Sequence, residues 1–311
     1  MLGFPVLELF TFPFKAMGSP CELRLYANDK KTASQIANDA IAEVNRLEIK
    51  YSRYRNDSVT TKINNSAGNK NGIKIDTETA LLLNYAQVGY EQSAGLFDIT
   101  SGILRKAWDF RSNKIPEQQE IEALLPLIGW NKLIWNPSIL CLPLQGMELD
   151  FGGYVKEYAA DVAANFCILA GVQGGLVNLG GDICIIGPHP DGSPWKVGIR
   201  HPRNPSMPMS FVMLSKGGLA SSGDYERFMM VDGIRYAHIL NPHTGWPVNT
   251  LASTSVCAEQ CVVAGTSSTI AMLKGEQQGA VWLEELGLPY LCMNQNEEVF
   301  GTLKHVSSSE E

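Results

Sequence analysis

The spacing of apolar residues predicts six helices along this chain of 311 residues. Within residues 32–49, Ile36, Ala40, Val44 and Leu47 recur three or four positions apart and form one apolar stripe. Asp76 is a plausible N-cap for the next helix. Glycines close several of the helical patterns, as is common at helix C-termini. The predicted helices cover residues 32–49, 77–93, 116–127, 157–171, 264–274 and 276–286.

Short runs with alternating or continuous apolar character predict strands between these helices. Residues 53–72 are polar and rich in turn residues, which predicts a surface loop. Several strands follow one another without an intervening helix. The pattern therefore favours an α+β fold, with mixed or antiparallel sheets and packed helices, over a doubly wound parallel fold. The predicted strands are 21–26, 133–134, 140–142, 175–179, 183–186, 195–199, 211–214, 229–231, 254–257 and 289–293.

Composition excludes several classes of function. Hydrophobic residues make up 45% and charged residues 18%, which are ordinary values for a globular protein. The net charge is −7 and no basic cluster occurs, so nucleic-acid binding is not expected. No window is long and apolar enough for a transmembrane segment. The chain shows no export signal, and its seven scattered cysteines suit a reducing compartment, so we expect a cytoplasmic protein.

Residues 238–247 form the most unusual segment, with two His, two Pro and one Gly directly after a strand-like run. Such a segment predicts a rigid, sharply turned loop, and catalytic side chains favour loops of this kind. His238 is the best candidate for a general base because its ordinary pKa lies near working pH. A Pro-Gly turn with purely structural histidines is the alternative. His243 is expected in the exposed part of the turn.

Two glycine pairs, Gly152–Gly153 and Gly180–Gly181, each follow a short apolar run. Paired glycines let the backbone approach a ligand closely and expose N–H groups to anions. The first pair precedes a predicted helix whose N-terminal end attracts phosphate, and Lys156 adds a positive charge there. The alternative is two ordinary tight turns. The spacing matches neither the dinucleotide-binding fingerprint nor the P-loop.

Three further polar segments are weaker signals. Residues 221–225 predict a small turn that presents hydroxyls and the acid Asp224, or else a local Ser or Asx turn. Asp98 stands between two apolar residues at a predicted strand or turn. Arg53, Tyr54 and Arg55 are candidates for phosphate contact, although such a run more often forms a solvated face.

Taken together, these segments resemble the ApbE family, the FAD:protein FMN transferases. The resemblance runs from about residue 12 to residue 300 and predicts a single domain with a polar tail at 301–311. The resembling segments occur in family order at 16–19, 51–54, 96–100, 149–156, 178–182, 221–225, 238–245 and 264–269.

The resemblance implies that the protein binds FAD and transfers its FMN moiety to a Thr or Ser hydroxyl of a target protein, with release of AMP. It implies that His238 is the base and that Lys156 takes part in catalysis. The FAD-site residues that it implies are Met17, Tyr54, Phe97, Asp98, Asp150, Gly152, Gly153, Lys156, Gly180, Gly181, Ser222, Gly223, Asp224, His238 and Val248.

The chain departs from the family at the expected magnesium site. Gly265 and Ser268 stand where family members carry acids, which leaves Thr269 and the Gly153 carbonyl as metal ligands. Because magnesium normally uses one or two carboxylates, we expect weak Mg²⁺ binding. An alternative is that N–H groups and hydroxyls of residues 265–269 bind phosphate directly, provided that a helix begins there.

Two other substitutions accompany this loss. Glu157 replaces a common glycine, for which we expect only a local effect, and Asn241 replaces the usual Asp. An active transferase is the leading hypothesis. The missing acids keep two alternatives open, namely a non-catalytic FAD-binding relative and an FAD pyrophosphatase that uses water as the nucleophile.

Overall fold

The structure is a computed structural model that describes residues 7–303. The strands of this part of the chain are β1 (Glu8–Ala16), β2 (Ser19–Ala27), β3 (Ile73–Lys74), β4 (Ile134–Asn136), β5 (Ile139–Cys141), β6 (Gly175–Leu179), β7 (Asp182–Gly187), β8 (Trp195–Arg200), β9 (Pro208–Leu214), β10 (Gly217–Gly223), β11 (Phe228–Val231), β12 (Ile234–Ala237), β13 (Leu251–Ala258), β14 (Tyr290–Asn294) and β15 (Val299–Gly301). The α-helices are α1 (Lys30–Tyr51), α2 (Val59–Asn65), α3 (Thr77–Gln92), α4 (Gln118–Leu124), α5 (Val155–Leu169), α6 (Cys261–Lys274) and α7 (Glu276–Glu285).

An eight-stranded antiparallel sheet organises the molecule, in the order β1-β2-β6-β7-β10-β13-β14-β15. Alternate residues of its strands point to opposite faces, as the strand pleat requires. Val177 and Cys184 pack on the face covered by α1, α5 and α6. Leu176 and Ile183 pack on the other face, under the β8–β9 hairpin. The predicted α+β fold is therefore confirmed.

Two hairpin turns lie side by side at one end of this sheet. Met17 and Gly18 join β1 to β2, and Gly180 and Gly181 join β6 to β7, with all four residues at positive φ. Because β2 pairs with β6, with Cys21 opposite Leu179, the two turns are neighbours. The first turn of α5 lies close to them, which places its side chains at this end of the sheet.

Helix α6 begins at Cys261, three residues before the predicted start. The two carboxylate oxygens of Asp161 on α5 accept hydrogen bonds from the backbone N–H groups of Cys261 (2.8 Å) and Val262 (2.9 Å). Residues 265–269 therefore lie inside the helix, where their N–H groups bond to preceding carbonyls. The hypothesis that these N–H groups bind phosphate directly is wrong.

Most predicted elements are confirmed, and the exceptions have local causes. The predicted loop at 53–72 contains α2, whose first turn is capped by Ser58 through its bond from the Thr61 N–H. β1 was not predicted, and the predicted polar turn at 221–225 is wrong because Ser221–Ser222–Gly223 end β10, with Ser221 opposite Ser255. Small residues form this strand because β7 and β13 supply hydrogen bonds on both sides.

The seven cysteines are all buried free thiols, so they pack as small apolar residues. Within residues 7–303, none of the helices is both long and apolar enough to span a bilayer.

We predict that Asp161→Ala lowers the free energy of unfolding by about 1–2 kcal/mol, since two N–H groups at a helix start lose their acceptor. Urea unfolding followed by circular dichroism measures this loss. Asp39→Ala is the control, because Asp39 is exposed and accepts bonds from Gln35 on the surface of α1. Equal stability of the Asp161→Ala variant and the wild-type protein would contradict the capping role.

Candidate active site

Lys156 lies in the first turn of α5, beside the glycine turn between β6 and β7. Its Nζ is 2.8 Å from Oδ2 of Asp182, the first residue of β7. A Cβ atom at Gly180 would lie 2.7 Å from the Cβ of Ser19, so glycine is required where the two hairpin turns touch. Burial disfavours the charged ammonium, but Asp182 and Glu157 outweigh it and raise the pKa of Lys156 above its usual value. Lys156 is therefore a permanent cation.

Glu157 follows Lys156 and its carboxyl group is buried beside Asp182. Burial and the neighbouring Asp182 raise the pKa of Glu157 to about 8. Because Lys156 stabilises the charge of Asp182, the proton of this acid pair resides on Glu157 at neutral pH. The protonated carboxyl of Glu157 hydrogen-bonds to Asp182, and among the described residues no group donates a hydrogen bond to its Oε2. Such an atom is costly unless something else binds it.

The side chain of Glu157 occupies the space beside Gly265 on α6. A Cβ atom at position 265 would lie 2.5 Å from Cγ and 2.7 Å from Oε1 of Glu157. The expectation that Glu157 has only a local effect is therefore wrong. Glu157 and glycine at position 265 fit each other, since a side chain at 265 would displace the carboxyl group.

One helical turn beyond Gly265, three hydroxyl groups connect α6 to β10. Ser222 Oγ is 2.7 Å from Ser268 Oγ and 2.9 Å from Thr269 Oγ1. The Ser268 hydroxyl donates to the carbonyl of Gly265 at 2.8 Å. Ser222 therefore donates to Ser268, and Thr269 donates to Ser222. This arrangement leaves both lone pairs of Thr269 Oγ1 available to a ligand.

The donor set here fits a hard divalent cation that also binds substrate phosphate. The described part of the chain holds no cluster of three or more His, Cys, Asp or Glu residues suited to a metal. Magnesium does not need one, because it commonly uses one or two carboxylates plus phosphate oxygens. Oε2 of Glu157 and the hydroxyl oxygen of Thr269 are oxygen ligands of the type that magnesium prefers. The Gly153 carbonyl stays a predicted ligand.

His238 follows β12 at the start of the predicted rigid loop. Its Nδ1 is 3.2 Å from the carbonyl oxygen of Arg227. Because a carbonyl can only accept, Nδ1 carries the proton and Nε2 has the free lone pair that a base needs. Burial, followed by the charge of Arg227, lowers the pKa of His238 to about 4, and Arg53 and Lys156 contribute in the same direction. The imidazole is therefore neutral at pH 7.

The positive charges of Arg227, Arg53 and Lys156 thus all act on His238, in a chain whose net charge is negative. Arg53 forms an ion pair with Asp150, and its Nη2 donates to the hydroxyl of Tyr54 at 2.9 Å. Sequence reasoning favoured a solvated face for Arg53 and did not single out Arg227. The sequence feature that could have indicated a site role for Arg53 is its position in segment 51–54, which resembles the ApbE family.

Asp98 and Asp224, like Asp150, are engaged within the protein. Asp98 accepts bonds from the N–H and hydroxyl of Thr100 and from the N–H of Trp130. Asp224 is 2% exposed and forms a two-pronged ion pair with Arg203, at 2.6 and 2.7 Å. We expect these two acids to position neighbouring segments rather than to contact a ligand directly.

The other predicted site residues lie near Asp150, at a cavity, in the β1–β2 turn and at the end of β10. Phe97 packs against Gly153, and the Gly152 N–H donates to Asp150 at 2.9 Å, so the first glycine pair belongs to the Arg53 side of the site. Val248 and Asp224 line a cavity of about 220 Å³, together with Ile234, Arg235, Ala237, Asn249 and Gln295. Met17 lies in the β1–β2 turn and Gly223 ends β10.

The loop after His238 is fixed from several sides, which explains its rigidity. Val248 N–H donates to the Ile239 carbonyl at 3.0 Å, and Trp108 Nε1 donates to the Gly245 carbonyl at 2.7 Å. Oδ1 of Asn241 accepts from the N–H of His243 at 2.8 Å, so this residue shapes the turn. His243 is exposed, as predicted.

A permanent cation, a neutral imidazole and glycine turns at the end of an antiparallel sheet define an α+β protein with a candidate site for phosphate chemistry. The sequence profile of the ApbE family matches residues 17–292, and the chain belongs to this family. The predicted resemblance is confirmed. The family model spans nearly all of the described part of the chain.

Similar proteins carry a consistent name. The FAD:protein FMN transferase of Vibrio cholerae is 27% identical over 287 residues, which cover 90% of this chain and 84% of that protein. The solved ApbE protein of Thermotoga maritima has 28% identity and a TM-score of 0.87, covering 95% of this chain and 97% of that one. The flavinyl transferase ApbE of Pseudomonas stutzeri has 27% identity and a TM-score of 0.84, with 97% and 95% covered.

We predict that the effect of Gly265→Ala changes sign with the residue at position 157. In the wild-type background the new methyl group meets the Glu157 carboxyl, and overpacking of this kind costs about 1–3 kcal/mol. In a Glu157→Ala background the same change stabilises α6 by about 0.5–1 kcal/mol, because alanine favours a helix interior. Urea unfolding of the four proteins in a chelator measures both values. The same sign in both backgrounds would contradict the contact.

Proposed function

We propose that this protein is an FAD:protein FMN transferase, which moves FMN from FAD to a Thr or Ser hydroxyl of a target protein and releases AMP. The single observation that supports this most directly is the contact of His238 Nδ1 with the Arg227 carbonyl, which leaves Nε2 free as a base under the charges of Arg227, Arg53 and Lys156. A diphosphate needs positive charge, and a hydroxyl nucleophile needs a base. The names of the similar proteins support the same reaction.

The reaction follows from these groups. Arg53, Lys156 and Arg227 bind the negatively charged diphosphate of FAD and stabilise the charge that develops during transfer. His238 Nε2 takes the proton from the acceptor hydroxyl, whose oxygen attacks the phosphorus of the FMN moiety. The bond from this phosphorus to the AMP oxygen breaks, so AMP leaves with the bonding electrons and FMN remains on the acceptor as a phosphoester.

The remaining predicted site residues position the substrate. Tyr54 is 70% exposed, and its ring offers a surface on which a flavin or adenine ring can stack. Gly152 and Gly181 allow close approach of a phosphate because they carry no side chain, while their N–H groups are held by Asp150 and Asn178. A divalent cation held at Thr269 would neutralise part of the phosphate charge.

Several finer features stay predictions from the sequence. These are the identity of the cation as Mg²⁺, the cytoplasmic location, and a Thr or Ser residue as the acceptor. The two alternatives, a non-catalytic FAD-binding protein and an FAD pyrophosphatase, are not favoured by the names of the similar proteins. They become distinct outcomes of the assay that follows.

We predict that incubation with FAD, a divalent cation and an acceptor protein yields acceptor carrying FMN and an equal amount of AMP. His238→Ala should slow this transfer by about 100-fold or more, since general-base catalysis contributes that much. His243→Ala is the control, because His243 lies in the exposed part of the same loop. Mass spectrometry of the acceptor and chromatography of the nucleotides measure both products.

The other products would identify the alternatives. FAD that is recovered intact but tightly bound would point to a binding protein, and free FMN with AMP would point to a pyrophosphatase. Undiminished transfer by the His238→Ala variant would contradict the assignment of the base.

We predict that the acid limb of kcat/KM lies well below pH 6.5, because the pKa of His238 is lowered to about 4 in the free enzyme. The neutral imidazole is the active form, so activity persists as pH falls until His238 binds a proton. Arg227→Gln removes a charge that lowers this pKa and should move the acid limb to higher pH. A limb at or above 6.5 in the wild-type protein, or an opposite shift in the variant, would contradict this assignment.

A further inference from the structure

Glu157 is the acid whose role the proposed reaction leaves unexplained. Its carboxyl group is buried against Asp182, to which it hydrogen-bonds, and its oxygen Oε2 accepts no hydrogen bond from the described residues. Lys156 already pairs with Asp182 at 2.8 Å. A buried oxygen of this kind needs an additional partner, and a hard cation is the partner that a carboxylate oxygen binds best.

The surroundings of Glu157 supply the rest of a cation site. Its carboxyl group lies against Gly265 on α6, and Thr269 follows one helical turn later on the same side of that helix. The hydroxyl hydrogen of Thr269 is directed to Ser222, because Ser268 donates to Gly265 and Ser222 donates to Ser268. The oxygen of Thr269 therefore presents lone pairs, as a metal ligand must.

We propose that Glu157 of α5, reaching over Gly265, supplies the carboxylate ligand of a divalent cation that Thr269 also binds. Oxygens of the FAD diphosphate complete the coordination, and Glu157 releases its proton to solvent when the cation binds. The inference rests on the proposed function because it needs FAD in the site. The proposal also reinterprets Gly265, which stands where the resemblance implies an acid. The carboxylate ligand is then not lost but comes from the neighbouring helix α5.

The packing of the two helices explains why the acid can come from α5. Glu157 and Asp161 are four residues apart on α5, and they contact Gly265 and the start of α6 at Cys261, again four residues apart. The two helices therefore pack in a fixed register. Asp161 holds the beginning of α6, and this places Gly265 opposite Glu157.

The test measures binding of Mn²⁺ by electron paramagnetic resonance, with and without FAD, so it does not depend on turnover. Wild-type protein should bind Mn²⁺ more tightly when FAD is present. Glu157→Gln keeps the shape of the side chain and should weaken Mn²⁺ binding by about 10-fold or more, which is at least the effect of changing an outer-shell partner. Glu259→Gln, an exposed acid near the start of α6, is the matched control and should change nothing.

A second variant moves the carboxylate between the helices. Glu157→Gly combined with Gly265→Asp removes the acid from α5 and places one on α6 in the vacated space. Mn²⁺ affinity should return to within about threefold of wild type, if ligand charge rather than position along the chain sets the affinity. Circular dichroism and thermal unfolding establish that each variant is folded.

The outcomes separate the inference from the proposed function. Loss of Mn²⁺ binding in Glu157→Gln with recovery in the double variant supports the ligand role. Unchanged Mn²⁺ affinity in Glu157→Gln, while FAD still binds, overturns the ligand role and leaves the proposed function intact. Wild-type protein that binds FAD but no Mn²⁺ also overturns it. Failure of the wild-type protein to bind FAD would instead overturn the proposed function.

Discussion

The ion pair between Lys156 and Asp182 is the interaction on which the candidate active site depends. It joins the first turn of α5 to the start of β7 at 2.8 Å, next to the glycine turn at 180–181. A buried charge is tolerated only with a partner, so each of these residues requires the other. The pair also keeps the proton of the adjacent acid pair on Glu157 when no cation is bound. This one ion pair therefore fixes the position of the Lys156 ammonium group and determines the protonation of the neighbouring Glu157.

Helix α5 also determines the position of α6. Asp161 accepts bonds from the first N–H groups of α6, and Glu157 packs over Gly265 one turn later. The small residues of α6 allow this close approach, and its hydroxyls bond to β10 on the other side. The departures that the family resemblance implies at positions 265 and 157 are consequently coupled by packing. Considered separately, Gly265 suggests the loss of a metal ligand and Glu157 suggests only a local change at the start of α5.

The loop of His238 combines two features that the proposed base requires. The carbonyl of Arg227 fixes the tautomer of the imidazole, and burial together with the charge of the same residue lowers its pKa and keeps the imidazole neutral. The cations that lower its pKa are also those that we propose to bind the diphosphate. These surroundings keep the imidazole unprotonated over a wide range of pH, and the same lowered pKa makes it a weaker proton acceptor than an ordinary histidine. Fixed bonds from Trp108 and within the loop maintain this geometry.

The sequence by itself determined the α+β class, most helices, the family, and the loop that carries His238, because apolar periodicity and local motifs are properties of consecutive residues. It did not predict β10, whose small residues become a strand only between β7 and β13. It also gave Arg53 and Glu157 minor roles and did not single out Arg227. Their importance comes from contacts with residues distant in the chain, such as Glu157 with Gly265 and Arg227 with His238. Only the tertiary structure decides those contacts, since they arise from the packing of α5 on α6 and of the loops at one end of the sheet.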